Sequence, residues 1–200
     1  MNIIVTGGEG FIGKHLIKKL NELEHRVLVL DKKSGVDITT SLILNGDALV
    51  HLAAIHNVQY TNQHPKETFD TNVYGTYNLL KNSDVKKFVF VSSSVVYEKN
   101  SSVYAMTKHL GEEMVKHSGL DYVILRLFNV YGPGCSGLIS NLIKARDTQT
   151  PLRLYGDGEQ TRDFIHVDDV CNAVIKSLEA YPRAYPWVYD VGTGKSHSVN

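Results

Sequence analysis

The 200-residue sequence predicts an α/β fold with a doubly wound parallel sheet. Two observations support this fold class. Short apolar runs typical of buried strands alternate with segments whose apolar residues recur at helical spacing. A glycine-rich turn joins the first run to the first helical segment. Strands that alternate with helices pair in parallel through right-handed crossovers, so we expect helices on both faces of the sheet.

The sequence predicts six strands and five helices. Most of the strands are runs of Val, Ile, Leu or Phe, and each helix has an apolar face. The strands are expected at residues 2–6, 26–30, 48–52, 87–91, 122–127 and 189–191. The helices are expected at about residues 11–23, 64–81, 104–117, 136–146 and 168–178. Pro65 favours a helix start because its missing N–H is not needed in a first turn.

Composition and charge exclude several classes of protein. Hydrophobic residues make up 42% and charged residues 21%, which suits a globular chain with a buried core. The formal net charge is zero, so the sequence shows no basic footprint for nucleic acid or an anionic membrane. Two cysteines are too few for a disulfide framework, and neither a signal peptide nor a run of ~20 apolar residues is recognised. We therefore expect a cytoplasmic protein that binds neither nucleic acid nor membrane.

Three glycines between the first strand and the first helix have the spacing G-x-x-G-x-x-G. They are Gly7, Gly10 and Gly13. Such a turn needs glycine because its backbone angles are unusual, its backbone approaches a pyrophosphate, and the helix packs closely on the strand. The pyrophosphate then lies at the helix N-terminus. A glycine-rich turn without a ligand is the alternative, but the flanking strand and helix favour a dinucleotide site of the Rossmann type.

Asp31 ends the second predicted strand, where an acidic side chain can accept hydrogen bonds from an adenosine ribose. A carboxylate at this position repels a 2′-phosphate, so NAD is favoured over NADP. Lys32 and Lys33 follow directly and weaken that preference. An ordinary turn aspartate is the alternative.

Eight segments of the chain are similar, in order, to the motifs of one family. They are VTGGEGFIG at 5–13, ALVHLAA at 48–54, TNVYGTYNLL at 71–80, FVFVSSSVVY at 88–97, YAMTK at 104–108, LRLFNVYGPG at 125–134, YGDGEQTRDFIHVDDV at 155–170 and YDVGTGK at 189–195. The sequence resembles the extended short-chain dehydrogenase/reductases, specifically the NAD-dependent nucleotide-sugar epimerases and dehydratases. The resemblance implies an NAD-binding Rossmann domain at 1–127 and a reduced substrate-binding portion, partly interleaved with it, at 128–200. It also implies a homodimer paired through the helices that carry Asn72 and Tyr104.

The resemblance further implies which residues bind NAD. The glycine turn would hold the pyrophosphate. Asp37 and Ile38 would flank adenine. Asn72 would support a groove lined by residues 52–54. The implied set is Gly7, Gly10, Phe11, Ile12, Gly13, Asp31, Lys32, Asp37, Ile38, Leu52, Ala53, Ala54, Asn72, Tyr104, Lys108 and Phe128.

Tyr104 and Lys108 are four residues apart on a predicted helix and share one of its faces. A tyrosine that acts as a base near neutral pH needs a stabilised phenolate, which a lysine ammonium and a positive nicotinamide ring can both provide. An exposed helical pair without function is the alternative. The resemblance implies catalysis by this pair, with Ser93 bound to the reacting sugar hydroxyl. A one-residue slip to Ser92 or Ser94 stays open.

The reaction that the resemblance implies is inversion at C4 of a nucleotide-diphosphate sugar, with a UDP-sugar as the expected substrate. Tyr104 would take the proton of the C4 hydroxyl while hydride passes to NAD, and hydride would return to the other face of the keto sugar. Dehydratases carry Asp-Glu after the serine, where Ser94 and Val95 stand here, which argues against elimination of water. An NAD(P)H-dependent keto-sugar reductase and a non-catalytic NAD-binding protein are the alternatives.

Two further residues are implied on the substrate side. Asn129 follows the strand that ends near residue 127, and Arg162 would meet the nucleotide diphosphate through its forked guanidinium. A surface ion pair of Arg162 with Asp163 is the alternative. The nine histidines show no metal-ligand spacing, so no metal is expected. Tyr97 and Tyr104 are closer in sequence than is usual in the family, which predicts a more open sugar pocket.

Overall fold

The computed structural model describes residues 1–40, 42–151, 158–179 and 187–198. Within these residues, nine strands form two sheets. The strands are β1 (Asn2–Thr6), β2 (Arg26–Leu30), β3 (Leu44–His51), β4 (Ser83–Ser93), β5 (Tyr122–Leu127), β6 (Asn129–Tyr131), β7 (Thr161–His166), β8 (Val188–Val191) and β9 (Ser196–Ser198). The central sheet is parallel, with the spatial order β2-β1-β3-β4-β5-β8. In the smaller sheet β7 pairs with β6 in parallel and with β9 antiparallel.

Helices cover both faces of the central sheet. They are α1 (Phe11–Glu22), α2 (Val58–Gln63), α3 (Pro65–Phe69), α4 (Gly75–Asn82), α5 (Val103–Lys116), α6 (Leu138–Thr148) and α7 (Val167–Glu179). Alternate residues of β1 enter different cores: Ile3 packs with Leu16 of α1 and Val174 of α7, whereas Ile4 packs with Leu79 of α4. The two cores confirm the predicted α/β, doubly wound parallel sheet.

The strand order reverses between β1 and β3. The chain leaves β1 toward β2 on one side and returns to place β3 on the other side. In open α/β sheets ligands bind outside the carboxyl ends of the strands at such a reversal. In the usual dinucleotide-binding sheet, a further strand pairs with the outer edge of the strand that corresponds to β2. Within the described residues, no strand pairs with that edge of β2.

Several predicted elements have the predicted bounds, and others do not. β1, β2 and β5 occupy the residues expected. The single helix expected at 64–81 is divided, because a π-helical turn at Asp70–Tyr74 separates α3 from α4. The smaller sheet and α2 were not predicted. Two strands of that sheet, β6 and β9, have only three residues each and are too short to show alternation. The division of the chain at residues 127 and 128 stays a prediction, and β8 from the later part joins the central sheet.

Candidate active site

The glycine turn lies at the carboxyl end of β1, where the strand order reverses. Gly7 has a φ of +71°, and a Cβ there would lie 2.6 Å from the backbone N of Ala53. A Cβ on Gly13 would lie 2.5 Å from the carbonyl oxygen of Gly7. Gly10 is the N-cap of α1, and Phe11 and Ile12 begin the helix. The first N–H groups of α1 therefore lie at a turn built from glycines, which fits a pyrophosphate.

The Asp31 carboxylate lies beside the glycine turn. Its Oδ2 accepts a hydrogen bond from the backbone N of Glu9 at 2.9 Å, and its Oδ1 accepts one from the backbone N of Lys33 at 2.9 Å. The exposed Nζ of Lys32 lies 3.7 Å from Oδ2 of Asp37. Asp31 is thus an acceptor carboxylate beside the glycine turn, and the charge of the adjacent Lys32 is offset by the Asp37 carboxylate.

Asp37 and Ile38, predicted to flank adenine, have different environments. Oδ1 of Asp37 accepts hydrogen bonds from the backbone N and the hydroxyl of Thr39 at 2.9 and 2.8 Å. These bonds hold the pKa of the Asp37 carboxyl below its usual value. The Ile38 side chain is buried against Gly75, where a Cβ would lie only 2.7 Å from its Cδ1. Ile38 is therefore a core residue, and Asp37 supplies the side chain that can face a ligand.

The segment Leu52 to Ala54 leaves β3 next to the glycine turn. The backbone N of Ala53 donates to the Thr6 hydroxyl at 3.3 Å. One residue further on, Asn72 binds both backbone groups of Ile55: Oδ1 accepts from its N at 2.8 Å, and Nδ2 donates to its O at 2.9 Å. Asn72 thereby fixes the backbone just beyond the predicted groove, and its role in NAD binding stays a prediction.

Ser93, Tyr104 and Lys108 meet where β4 ends and α5 begins. The Ser93 hydroxyl interacts with the Tyr104 phenol and acts to lower its pKa. Nζ of Lys108 donates to the carbonyl oxygen of Val91 at 2.6 Å and lies 4.1 Å from the centroid of the Phe90 ring. Burial lowers the pKa of Lys108 to about 7, although the Glu112 carboxylate acts in the opposite direction. An ammonium that can lose its charge near neutral pH is typical of catalytic sites.

The prediction that Lys108 makes the Tyr104 phenol more acidic is not met within the chain. Burial raises the pKa of Tyr104 to about 12, and the Ser93 hydroxyl opposes this only in part. The physical reason is the orientation of the Lys108 side chain, because its ammonium donates to the Val91 carbonyl oxygen. The open alternative of Ser92 is also excluded from contact with the phenol, because its hydroxyl donates to Oε1 of Glu112 at 2.6 Å.

Glu112 is a charged residue at this site that sequence reasoning missed. It is fully buried one helical turn after Lys108, and its two carboxylate oxygens accept from Nε and Nη2 of Arg126 at 2.9 and 2.7 Å. Burial acts to raise the pKa of Glu112, but hydrogen bonds from Arg126 and Ser92 outweigh it and lower the pKa. Its spacing of four from Lys108 would have placed it on the same helix face.

A cavity of about 390 Å³ lies between β6, β7 and the start of α6, and both predicted substrate residues line it. They are Asn129 and Arg162. Nδ2 of Asn129 also donates to the carbonyl oxygen of Asp163 at 3.1 Å. The Asp163 carboxylate accepts bonds from Thr193 and Gly194, and no ion pair with Arg162 forms among the described residues. The alternative role of Arg162 as a partner of Asp163 is therefore not supported.

Phe128 lies between the central sheet and this cavity. Its backbone N donates to the carbonyl oxygen of Val191 at 3.1 Å, and its ring packs on Gly192, where a Cβ would lie 3.1 Å away. The described residues contain no group of three His, Cys, Asp or Glu side chains placed to hold a metal ion. No helix in the same residues is long and apolar enough to cross a membrane.

Comparison with known proteins decides the family. A family model described as the NAD dependent epimerase/dehydratase family matches residues 3–192. The chain belongs to this family. It is therefore an enzyme of the extended short-chain dehydrogenase/reductase type that uses NAD, as predicted.

Relatives of this epimerase/dehydratase chain carry several names. It is 35% identical to a putative UDP-glucose 4-epimerase of Methanocaldococcus jannaschii, over 99% of the chain and 79% of the relative. It is 31% identical to a UDP-N-acetyl-alpha-D-glucosaminuronate decarboxylase of Bacillus cytotoxicus, over 88% of the chain and 70% of the relative. Its fold is similar to that of MoeE5 in complex with UDP-glucose and NAD, with a TM-score of 0.89, 31% identity and coverage of 100% of this chain and 78% of that one.

The chain is compact by the standard of its family. The alignment with the archaeal relative extends over 246 positions, so at least 46 of them have no counterpart among the 200 residues. The shortened connection between Tyr97 and Tyr104 stays a prediction from the family resemblance.

Proposed function

We propose that this chain is an NAD-dependent epimerase that inverts C4 of a nucleotide-diphosphate sugar through a transient 4-keto sugar. The observation that carries the proposal is the placement of Ser93 at the end of β4 against Tyr104, whose phenol pKa it acts to lower, one helical turn before the buried Lys108. These groups lie at the same sheet edge as the glycine turn. This shared edge supports a proton-transfer role for Tyr104 next to bound dinucleotide.

The residues of the crevice fit NAD. The glycine turn would hold its pyrophosphate and Asp31 its ribose, and bound NAD supplies an acceptor that can take a hydride from C4 and return it. Ser93 would orient the C4 hydroxyl, and Tyr104 would take and return its proton. Because the Tyr104 pKa is about 12 even with the Ser93 hydroxyl acting to lower it, the phenol needs positive charge nearby to act as a base.

The cavity at β6 and β7 would take the nucleotide diphosphate. Arg162 can bind phosphate oxygens through two parallel hydrogen bonds, and Asn129 adds an amide donor. We infer a UDP-sugar, since the relatives and the structurally similar protein reported above are named for UDP-sugars.

A second candidate is decarboxylation of a UDP-sugar acid, which the Bacillus cytotoxicus relative favours. Oxidation at C4 next to a carboxylated C5 gives a β-keto acid, which loses carbon dioxide. The first step would be the same, and the substrate would decide the outcome. A keto-sugar reductase would differ again, because it would consume reduced cofactor in every turnover.

The test is incubation of the purified chain with NAD and UDP-glucose, UDP-galactose, their N-acetylated forms or UDP-glucuronate. We expect C4 epimers by chromatography without net absorbance change near 340 nm. Tyr104→Phe should lower kcat at least ~100-fold while retaining NAD binding, because only the proton-transfer group is lost. Tyr189→Phe, an exposed change on β8, is the matched control and should leave kcat unchanged. Equal turnover by Tyr104→Phe would contradict the proposal, and carbon dioxide release without C4 inversion would favour the decarboxylase.

We also propose that two copies pair through α4, α5 and the π-helical turn. Four large apolar side chains are exposed on these elements: Tyr74, Tyr77, Met106 and Leu110. A contiguous exposed apolar surface is typical of an interface. The cytoplasmic location stays a prediction from the sequence.

A further inference from the structure

The strongest unassigned feature is a chain of buried hydrogen bonds centred on His51, the last residue of β3. Nδ1 of His51 lies 2.7 Å from the Thr6 hydroxyl, and Nε2 lies 2.9 Å from the Thr76 hydroxyl. All three side chains are at most 1% exposed. The rings of Phe88 and Phe90 flank the imidazole, with centroids 6.1 and 5.6 Å away. A polar group in such surroundings is retained only if its donors and acceptors are matched.

The direction of each bond can be assigned from its ends. The Thr76 hydroxyl donates its one proton to the carbonyl oxygen of Asn72 at 2.7 Å, so it must accept from Nε2–H of His51. At the other end the Thr6 hydroxyl accepts from the backbone N of Ala53 at 3.3 Å. Its own proton is then free for Nδ1 of His51. Both ends require a neutral imidazole protonated on Nε2 alone.

The environment also favours the neutral form. Burial lowers the pKa of His51 to about 3, and the nearby charge of Lys108 acts in the same direction. Protonation of Nδ1 would leave the Thr6 proton without an acceptor. In this series of hydrogen bonds each group therefore donates to the next, from the Ala53 N–H to the Asn72 carbonyl oxygen. No second arrangement of the protons has low energy.

The two ends of this series of hydrogen bonds lie on the cofactor groove. Ala53 is one end, and it touches the glycine turn at Gly7. Asn72 is the other end, and its side chain fixes both backbone groups of Ile55. We propose that His51 is a positioning residue for NAD, which holds the groove segment between Ala53 and Ile55 from inside the sheet. This inference rests on the NAD groove described above and adds the residue that sets its shape.

The first test is spectroscopic and needs no variant. Two-bond ¹H–¹⁵N correlation spectra of the ¹⁵N-histidine-labelled chain should show His51 protonated only on Nε2, unchanged from pH 5 to pH 9. The resonance is assigned by its loss in His51→Gln. A His51 protonated on Nδ1, or on both nitrogens, within this range would overturn the inference.

The second test is NAD affinity by calorimetry. Thr6→Val and Thr76→Val each remove one hydroxyl that bonds His51. Each should weaken NAD binding roughly three- to tenfold, the effect of one lost buried hydrogen bond. Thr6→Ser and Thr76→Ser keep the hydroxyl and should bind NAD within about twofold of the original chain. Unchanged affinity in both valine variants, with circular dichroism showing the fold intact, would overturn the inference. Loss of C4 inversion activity in the screen above, with this affinity pattern kept, would instead overturn only the proposed reaction.

Discussion

At the scale of single residues, the site buries the Lys108 ammonium in surroundings that disfavour a positive charge. Lys108 is only 4% exposed and shares its surroundings with the Phe90 ring and the neutral His51. Burial lowers its pKa from 10.5 to about 7. In the interval between those values the unfolded chain binds one more proton than the folded chain, so the stability of the protein rises with pH there. A group that lowers stability at neutral pH in this way is retained for its chemistry.

Lys108→Met should therefore abolish turnover and raise the free energy of unfolding at pH 7 by on the order of 1–3 kcal/mol. The gain should shrink as the pH approaches 10, because the unfolded lysine then loses its proton as well. Urea unfolding at pH 7 and at pH 10 measures the gain in stability and its decrease at high pH. Lys66→Met, at an exposed ion pair with Asp70, is the control and should change stability by less than about 1 kcal/mol. A Lys108→Met variant that is less stable at pH 7 would contradict this account.

At the scale of elements, α5 is fixed to the sheet by polar contacts along one face. Tyr104, Lys108 and Glu112 follow one another at intervals of four and contact Ser93, the Val91 carbonyl and Ser92 of β4. Gly111 lets the helix approach, since a Cβ there would lie 2.6 Å from the Phe90 ring. The buried pair of Glu112 with Arg126 extends the attachment to β5.

Glu112→Gln should destabilise the fold by about 3 kcal/mol, because it leaves the Arg126 guanidinium without its charged partner. It should also lower the Lys108 pKa further, since the Glu112 carboxylate acts to raise it. Thermal unfolding measures the first effect and the pH titration of ¹³C-labelled lysine the second. Glu113→Gln, which breaks the more exposed pair with Lys116, is the matched control and should change stability by less than about 1 kcal/mol. Equal effects of the two substitutions would contradict the assigned role.

Much of this architecture could be predicted from the sequence, for reasons that differ between elements. β1 and β5 are buried on both sides, so their unbroken apolar runs mark them directly. The π-helical turn at Asp70–Tyr74 was missed because helical periodicity continues through it. The contact of Ser93 with Tyr104 came from motif resemblance. The turning of Lys108 toward the Val91 carbonyl and the bonds of His51 depend on neighbours distant in sequence, which local patterns do not reveal.

At the scale of the whole molecule, the predicted cofactor-binding residues lie along one edge of the central sheet, and apolar side chains are exposed elsewhere. The reversal between β1 and β3 brings the glycine turn, the groove after β3 and the end of β4 to one edge. On the outer side, α4 and α5 expose the apolar side chains proposed as a dimer interface. Pairing there would involve α5, the helix that carries Tyr104 and Lys108.

Tyr77→Glu combined with Leu110→Glu should convert a dimer into a monomer, because two charges would be buried at the proposed interface. Light scattering after gel filtration measures the change. Leu142→Glu introduces a charge at an equally exposed apolar position on α6 and should leave the dimer intact. A monomeric original chain, or a dimer that survives the double substitution, would contradict the proposed interface.

The central claim is that C4 of the sugar gives up a hydride and receives the same hydride back while Tyr104 handles the hydroxyl proton. The most direct measurement uses a UDP-sugar carrying deuterium at C4, incubated with the chain and NAD in ordinary water. The account predicts that both epimers keep the deuterium at C4, as read by mass spectrometry and NMR. Deuterium lost to solvent during inversion would contradict it.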